Sequence, residues 1–317
     1  MSKQSVHTPV LMEEVIALLA PGKEETLLVD ATLGEGGHAA AFLSRFSGLS
    51  VIGLDADDEI MQRARRRLNG FISGGRIRCY REWFDDFFAS YAGRFDRGPD
   101  RILMDLGISM FHYRGSGRGF SFRSEEPLDM RINGSSGRTA AAIVNRTPET
   151  ELRRLIAEYG EERMAGRITR SIVRERKQAP LTQARQLADL IYRSVPPGYR
   201  HGAIHPATRT FQALRIAVNE ELARLEKGLD AAFTVLNPGG RIGVISFHSL
   251  EDRIVKHFFR EKNKTCTCPP ESPICQCGGV REARIITRKP VTASPEELES
   301  NPASRSAKLR VAEKLER

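Results

Sequence analysis

The chain has 317 residues, more than one ordinary core needs, so one large domain with a sizeable insertion, or two domains, is expected. Hydrophobic residues at 40% and charged residues at 28% suit a soluble globular protein, and no run approaches the ~20 apolar residues of a membrane span. A formal charge of +9 and a pI near 9.5 favour a polyanionic partner, because neutralising phosphates supplies sequence-independent affinity.

The opening segment MSKQSVHTPVLMEEVIALLA has an apolar patch broken by Glu13 and Glu14, unlike a signal peptide, so a cytoplasmic location is expected. His7-Thr8-Pro9 reads as a helix start, with Thr8 as N-cap and Pro9 at the first helical position. Strand and helix patterns then alternate. Residues 27–31 read as a buried strand running into a glycine-rich turn and an Ala-rich helix. Residues 51–54 form a second strand ending at Asp55, followed by a helix around 59–68. Residues 76–80 and 101–106 supply the third and fourth strands. Short apolar strands alternating with helices predict a doubly wound, mainly parallel α/β sheet.

The next parallel strand, residues 241–246, is introduced by Asn237-Pro238-Gly239-Gly240 and comes well over a hundred residues later. A crossover needs only a dozen. The excess carries helical patterns around 149–159, 161–177 and 182–194. Residues 108–210 are therefore expected to be an inserted, mainly helical domain, with 1–107 and 211–317 as the sheet domain. A helix over 213–236 returns the chain to the sheet, and 285–287 and 308–312 are candidate closing strands.

The turn in VDATLGEGGH (29–38) leaves helix N–H groups aimed at a ligand, although G-x-G-G falls short of the full dinucleotide fingerprint. A tight structural turn would look much the same. Asp55, 18 residues after Gly37 at the end of the second strand, tips the balance, because an acid there can accept ribose hydroxyls. A nicotinamide dehydrogenase prefers the full fingerprint. A zinc nucleobase deaminase needs H-x-E with P-C-x-x-C, and neither is present. An S-adenosylmethionine methyltransferase has no pyrophosphate to bind, tolerates a looser turn, and is favoured.

HTPVLMEEV (7–15), DATLGEGGH (30–38), RGFSF (118–122), PLDMR (127–131), YGEER (159–163), HPATRTFQALRIAVNEEL (205–222) and ISFHSLEDRIVKHFF (245–259) together resemble the bacterial small-subunit (16S) ribosomal RNA cytosine-N4 methyltransferases, the MraW-like family. The resemblance runs from about 7 to 315. It implies a class I, Rossmann-like methyltransferase fold with a helical substrate-recognition insertion, S-adenosyl-L-methionine as donor, and a decoding-region cytidine of 16S rRNA as target. By the family pattern Gly36, Gly37 and His38 line the methionine end, Asp55 the ribose, Phe84 is the aromatic after the third strand, and Asp105 is the carboxylate ending the fourth. His112 stands where the family commonly has a glutamine that contacts the cofactor.

Asp105 is assigned to the boundary between cofactor and acceptor, with Ser109 and the backbone carbonyls of 105–109 as acceptors for the amine hydrogens; capping of its own loop is the structural alternative. Phe120 and Phe122 are candidates to stack on an unpaired base, or to pack the loop against the core. His248 is placed either against the target base or as a helix cap. Arg163, Arg167, Arg170 and Arg174 fall on one face of the expected helix 161–177 and are candidate phosphate contacts, with a solvated face as the plain alternative. Cys266, Cys268, Cys275 and Cys277 form two C-x-C pairs that could hold zinc or lie in a metal-free Pro-rich loop, and no metal is assigned to the reaction. The rivals to an rRNA enzyme are a DNA amino-methyltransferase of the same fold and a non-catalytic RNA-binding assembly factor. A homodimer is compatible with the sequence, which fixes no oligomeric state.

Overall fold

The computed structural model describes residues 8–22, 26–123, 125–134, 137–266, 268 and 279–316. These residues divide into two compact units, one within Met1–Ile108 and Ala223–Arg317, the other within Ser109–Leu222.

The first unit is built on a seven-stranded sheet in the order β3-β2-β1-β4-β5-β7-β6. Its strands are β1 Thr26–Asp30, β2 Leu49–Asp55, β3 Ile77–Arg81, β4 Arg101–Asp105, β5 Arg241–Ser246, β6 Ala283–Ile285 and β7 Lys308–Lys314. β1 to β5 are parallel, and β7 runs antiparallel between β5 and β6. The mainly parallel α/β sheet is the expected one. Alternation along each strand feeds two cores, as the pleat requires. Leu28, Leu103 and Ile245 face a layer with Val15, Phe42 and Leu43. Val29, Ile102, Met104 and Val244 face the opposite layer with Phe87, Leu229, Phe233 and Phe259. Strand order reverses between β1 and β4, so the crevice beyond their carboxyl ends is the place where ligands bind in open sheets.

The first helix differs from expectation. It spans Met12–Leu18, and its N-cap is Leu11 in the left-handed region at φ 51, not Thr8. Pro9 lies in the approach, where its ring is used against Gly37.

The second unit is mainly helical, with its longer helices at Glu149–Gly160, Ala165–Glu175, Ala184–Ser194 and Thr208–Asn219. Leu152, Ile156, Ile168, Ile172, Leu187, Ile191 and Leu214 are buried there. Asn219 stitches a long loop to this core: its Nδ2 donates to Met130 O at 2.9 Å, and its Oδ1 accepts from Ile132 N at 2.8 Å. The helix expected at 213–236 is two helices, Thr208–Asn219 and Glu221–Val235, broken at Glu220, whose φ of 53 ends the first. The helix expected at 161–177 starts only at Ala165, so Arg163 precedes it. Among the described residues, no helix is long and apolar enough to cross a membrane.

Candidate active site

Three strands of the first unit end in an acid: β1 at Asp30, β2 at Asp55 and β4 at Asp105. Asp55 is tied into the glycine turn. Its Oδ2 accepts from Gly34 N at 3.0 Å and its Oδ1 from Asp57 N at 2.9 Å. Each carboxylate oxygen keeps a second lone pair, so these bonds orient the group and leave it able to accept hydroxyls.

Gly36 and Gly37 of that turn are needed by the protein itself. Gly36 has φ 76, and a Cβ there would lie 2.7 Å from Leu68 Cδ1. A Cβ on Gly37 would lie 2.2 Å from Pro9 Cγ. The turn thus opens the helix Gly37–Arg45 with no side-chain cap, leaving its first N–H groups without intrahelical partners.

His38, in the first turn of that helix, is buried. Its Nε2 lies 3.0 Å from Val10 O, and since a carbonyl only accepts, Nε2 carries the proton. In the neutral ring Nδ1 is then an acceptor, yet it faces Asp105 Oδ2 at 3.9 Å. Two acceptors face each other without repulsion only when a proton sits on one of them. Burial first, then the Asp30 carboxylate, pushes Asp105 up to about 7, against the bond from Gly107 N. Burial likewise pushes Asp30 up to about 7, with Asp55 adding to the rise and the Thr32 N–H opposing it. Asp105 is anchored at its backbone, whose N–H donates to Thr32 Oγ1 at 2.6 Å. Asp30 Oδ1 and Asp105 Oδ1 are both buried and accept no hydrogen bond among the described residues.

Buried oxygens in that state cost free energy unless a ligand supplies donors or positive charge. The crevice is therefore matched to a cationic or multiply donating ligand. The chain matches the MraW methylase family model over residues 4–315. It belongs to that family. Its sequence is 56% identical to the ribosomal RNA small subunit methyltransferase H of Treponema denticola over 313 residues, covering 99% of this chain and 98% of that one. The protein of the same name from Treponema pallidum is 47% identical, covering 97% and 92%, and that from Heliobacterium mobile is 48% identical, covering 98% and 99%. Among solved structures, an rRNA methylase from Streptococcus thermophilus is similar with TM-score 0.39 and 11% identity, covering 96% of this chain and 94% of that one.

The remaining residues singled out in this methylase sequence fall in several settings. Phe84 is buried in the sheet domain, its ring so close to Gly228 that a Cβ there would lie 2.3 Å from it. His248 is the N-cap of the helix Ser249–Lys262 in a full capping box, its Nδ1 accepting from Glu251 N at 3.4 Å. That is the capping alternative, and it uses Nδ1; the buried Nε2 lies 3.1 Å from Glu251 Oε1 and has no hydrogen-bond partner among the described residues. Ser109 caps the short helix Met110–Arg114, its Oγ accepting from Phe111 N at 3.2 Å. His112 is buried, with its ring centroid 5.1 Å from that of Phe120. Phe120 is itself only 5% exposed and offers no ring face to a base at the surface. Phe122 is half-exposed and stacks on His205. Arg163, Arg167, Arg170 and Arg174 are all exposed, and among the described residues none has a carboxylate within ion-pair range. Arg170 and Arg153 converge over Gly166, where a Cβ would lie 3.8 Å from one guanidinium and 3.5 Å from the other. Cys275 and Cys277 lie outside the described residues, and with them the zinc expectation; Cys266 is exposed and Cys268 half-buried.

Sequence reasoning missed Asp30. The signal was present: VDATLG puts an acid at a strand end, the same feature that singled out Asp55 and Asp105. Only pairing shows that β1 lies beside both β2 and β4 and so gathers all three acids.

Proposed function

We propose that this chain transfers the methyl group of S-adenosylmethionine to the exocyclic N4 amine of a cytidine in the decoding region of 16S rRNA. The observation that carries the reading is the pair of carboxylates, buried Asp30 and half-buried Asp105, each with a buried, open Oδ1 at the reversal point of the sheet, in a chain of a methylase family. The donor is a sulfonium with an ammonium on its methionine arm, and two carboxylates in a buried crevice complement that charge. Asp55 suits the ribose hydroxyls, and the open N-terminus of the helix Gly37–Arg45 suits the methionine carboxylate. When bound, the donor supplies an electrophilic methyl group.

The chain's residues do the rest. The N4 lone pair of cytosine is delocalised into the ring and attacks poorly. A carboxylate accepting one amine hydrogen draws density back to nitrogen, and Asp105 suits that task. Held near 7, its carboxyl can also take up the proton the amine must lose. His38, held by its bond to Val10 O, places Nδ1 3.9 Å from Asp105 Oδ2, where it can accept the proton once Asp105 carries it. Holding acceptor and donor in line is worth roughly 7–11 kcal/mol. The exposed arginines Arg163, Arg167, Arg170 and Arg174 suit rRNA phosphates, and the cytidine must be unpaired to react. An assembled or nearly assembled small subunit in the cytoplasm is the substrate this implies.

The deciding experiment is mass spectrometry of 16S rRNA from a deletion strain, with the purified protein then added back to its small subunits. Loss of an N4-methyl mark on cytidine and its restoration by the protein support the reading. Methylation of duplex DNA with none of the particle would instead make the chain a DNA amino-methyltransferase, and absence of S-adenosylmethionine binding by calorimetry would leave a non-catalytic RNA-binding factor.

A further inference from the structure

The second unit carries a column of flat groups that neither the reaction nor the core requires. The His205 and Phe122 rings lie 4.6 Å apart at 20°, and the His205 and Tyr192 rings 6.0 Å apart at 18°. Both rings are thus nearly parallel to His205. Arg200 places its guanidinium 5.1 Å from the Tyr192 ring and is held there by bonds to Val195 O and Arg193 O, both 3.1 Å. Phe211 meets Phe122 edge-on at 5.3 Å and 78°, which steadies the Phe122 ring.

A packed core would bury such a column. Here His205, the ring that both others stack on, is exposed, and Phe122, Tyr192 and Arg200 are half-exposed. The local role of His205 is to accept Ala207 N at its Nδ1, 3.2 Å away. An asparagine oxygen two residues upstream of an N–H does the same, so that bond does not account for a ring. The neighbouring charges are mainly positive. Arg123 and Asp189 act on His205, and Asp189 is within 4.0 Å of Arg185.

We propose that Phe122, His205, Tyr192 and Arg200 form a stacking site for an unpaired RNA base other than the one that is methylated. The inference rests on the rRNA reading above and deepens it. Every base has a π-face that an aromatic ring or guanidinium plane can cover, and Arg123 and Arg200 supply charge for the flanking phosphates. None of these four side chains is a carboxylate, so their role toward RNA is to hold it and not to react with it.

The test uses the full chain and a single-stranded oligoribonucleotide of about ten nucleotides carrying 2-aminopurine, whose fluorescence is quenched by stacking. His205→Asn keeps the bond to Ala207 N and removes the ring; Tyr192→Leu keeps apolar bulk and removes the flat face. Each is expected to weaken binding about 5- to 150-fold and to reduce the quenching at saturation. Quenching and affinity equal to wild type in either variant overturn the proposal. So does weaker binding of the small subunit with oligonucleotide quenching intact, which would assign the column to a protein surface. If wild-type protein quenches the probe but methylates no rRNA, the reaction proposed above fails while the stacking site stands.

Discussion

Asp105→Asn separates the electrostatic argument from a purely structural role for this residue. A carboxyl raised from 3.8 to about 7 holds its proton more tightly in the folded chain than in the unfolded one. Stability therefore falls as pH rises between those values, and the burden is complete above about pH 7. Asparagine cannot ionise, so its advantage over the wild type grows with pH. At 1.36 kcal/mol per pH unit between 3.8 and about 7, the burden is roughly 4 kcal/mol at pH 8 and about 2 kcal/mol at pH 5.5. Asp30 shares the strain, so relief at one site is shared too, and about 2–4 kcal/mol at pH 8 is the expected range. For a chain of this length that raises Tm by roughly 4–8 °C. Scanning fluorimetry of the ligand-free protein at pH 5.5 and pH 8 reads it directly. The same variant should bind S-adenosylmethionine about ten- to a hundredfold more weakly, while neutral S-adenosylhomocysteine loses much less. Unit charges about 5 Å apart at an effective dielectric of about 20 interact by roughly 3 kcal/mol. A Tm gain equal at both pH values, or equal losses for the two ligands, would refute the reasoning.

Asp55→Ala should abolish most S-adenosylmethionine affinity in calorimetry while leaving RNA binding nearly unchanged. Because Gly34 N and Asp57 N lose their acceptor, stability should also fall by about 1–3 kcal/mol, seen as a lower Tm. Gly37→Ala should destabilise by about 1–3 kcal/mol in urea titration, since its Cβ would meet Pro9 Cγ at 2.2 Å. Adding Pro9→Gly should recover part of that loss, and no recovery would mean the clash is relieved elsewhere. Replacing Arg167, Arg170 and Arg174 together by Gln should flatten the plot of log affinity for rRNA against log salt by about 2, with no change in S-adenosylmethionine affinity. An unchanged slope would make that helix face merely solvated.

Much of the sheet was legible because its signals are local. Strand alternation, NPGG before β5 and the acids closing β2 and β4 each occupy a few adjacent residues. What was misread depends on partners distant in the chain. Pro9 reads as a helix start by its neighbours, yet the helix begins at Met12, because the proline ring fills the space opposite Gly37. One unbroken apolar period runs through 213–236, and only the positive φ at Glu220 shows the break. RGFSF looked like two equal rings, but one is buried beside His112 while the other joins His205, some eighty residues on. Asp30 marks the same limit at the candidate site. In isolation it is a polar residue beginning a turn, unremarkable beside the glycines that follow. Its raised pKa arises from burial and from Asp55, which reaches it only through the pairing of β1 with β2. A titration shift of this kind belongs to the assembled sheet, so the sequence could name two of the three acids but not the coupling among them. That coupling is what would let the crevice distinguish a sulfonium from the neutral thioether it becomes.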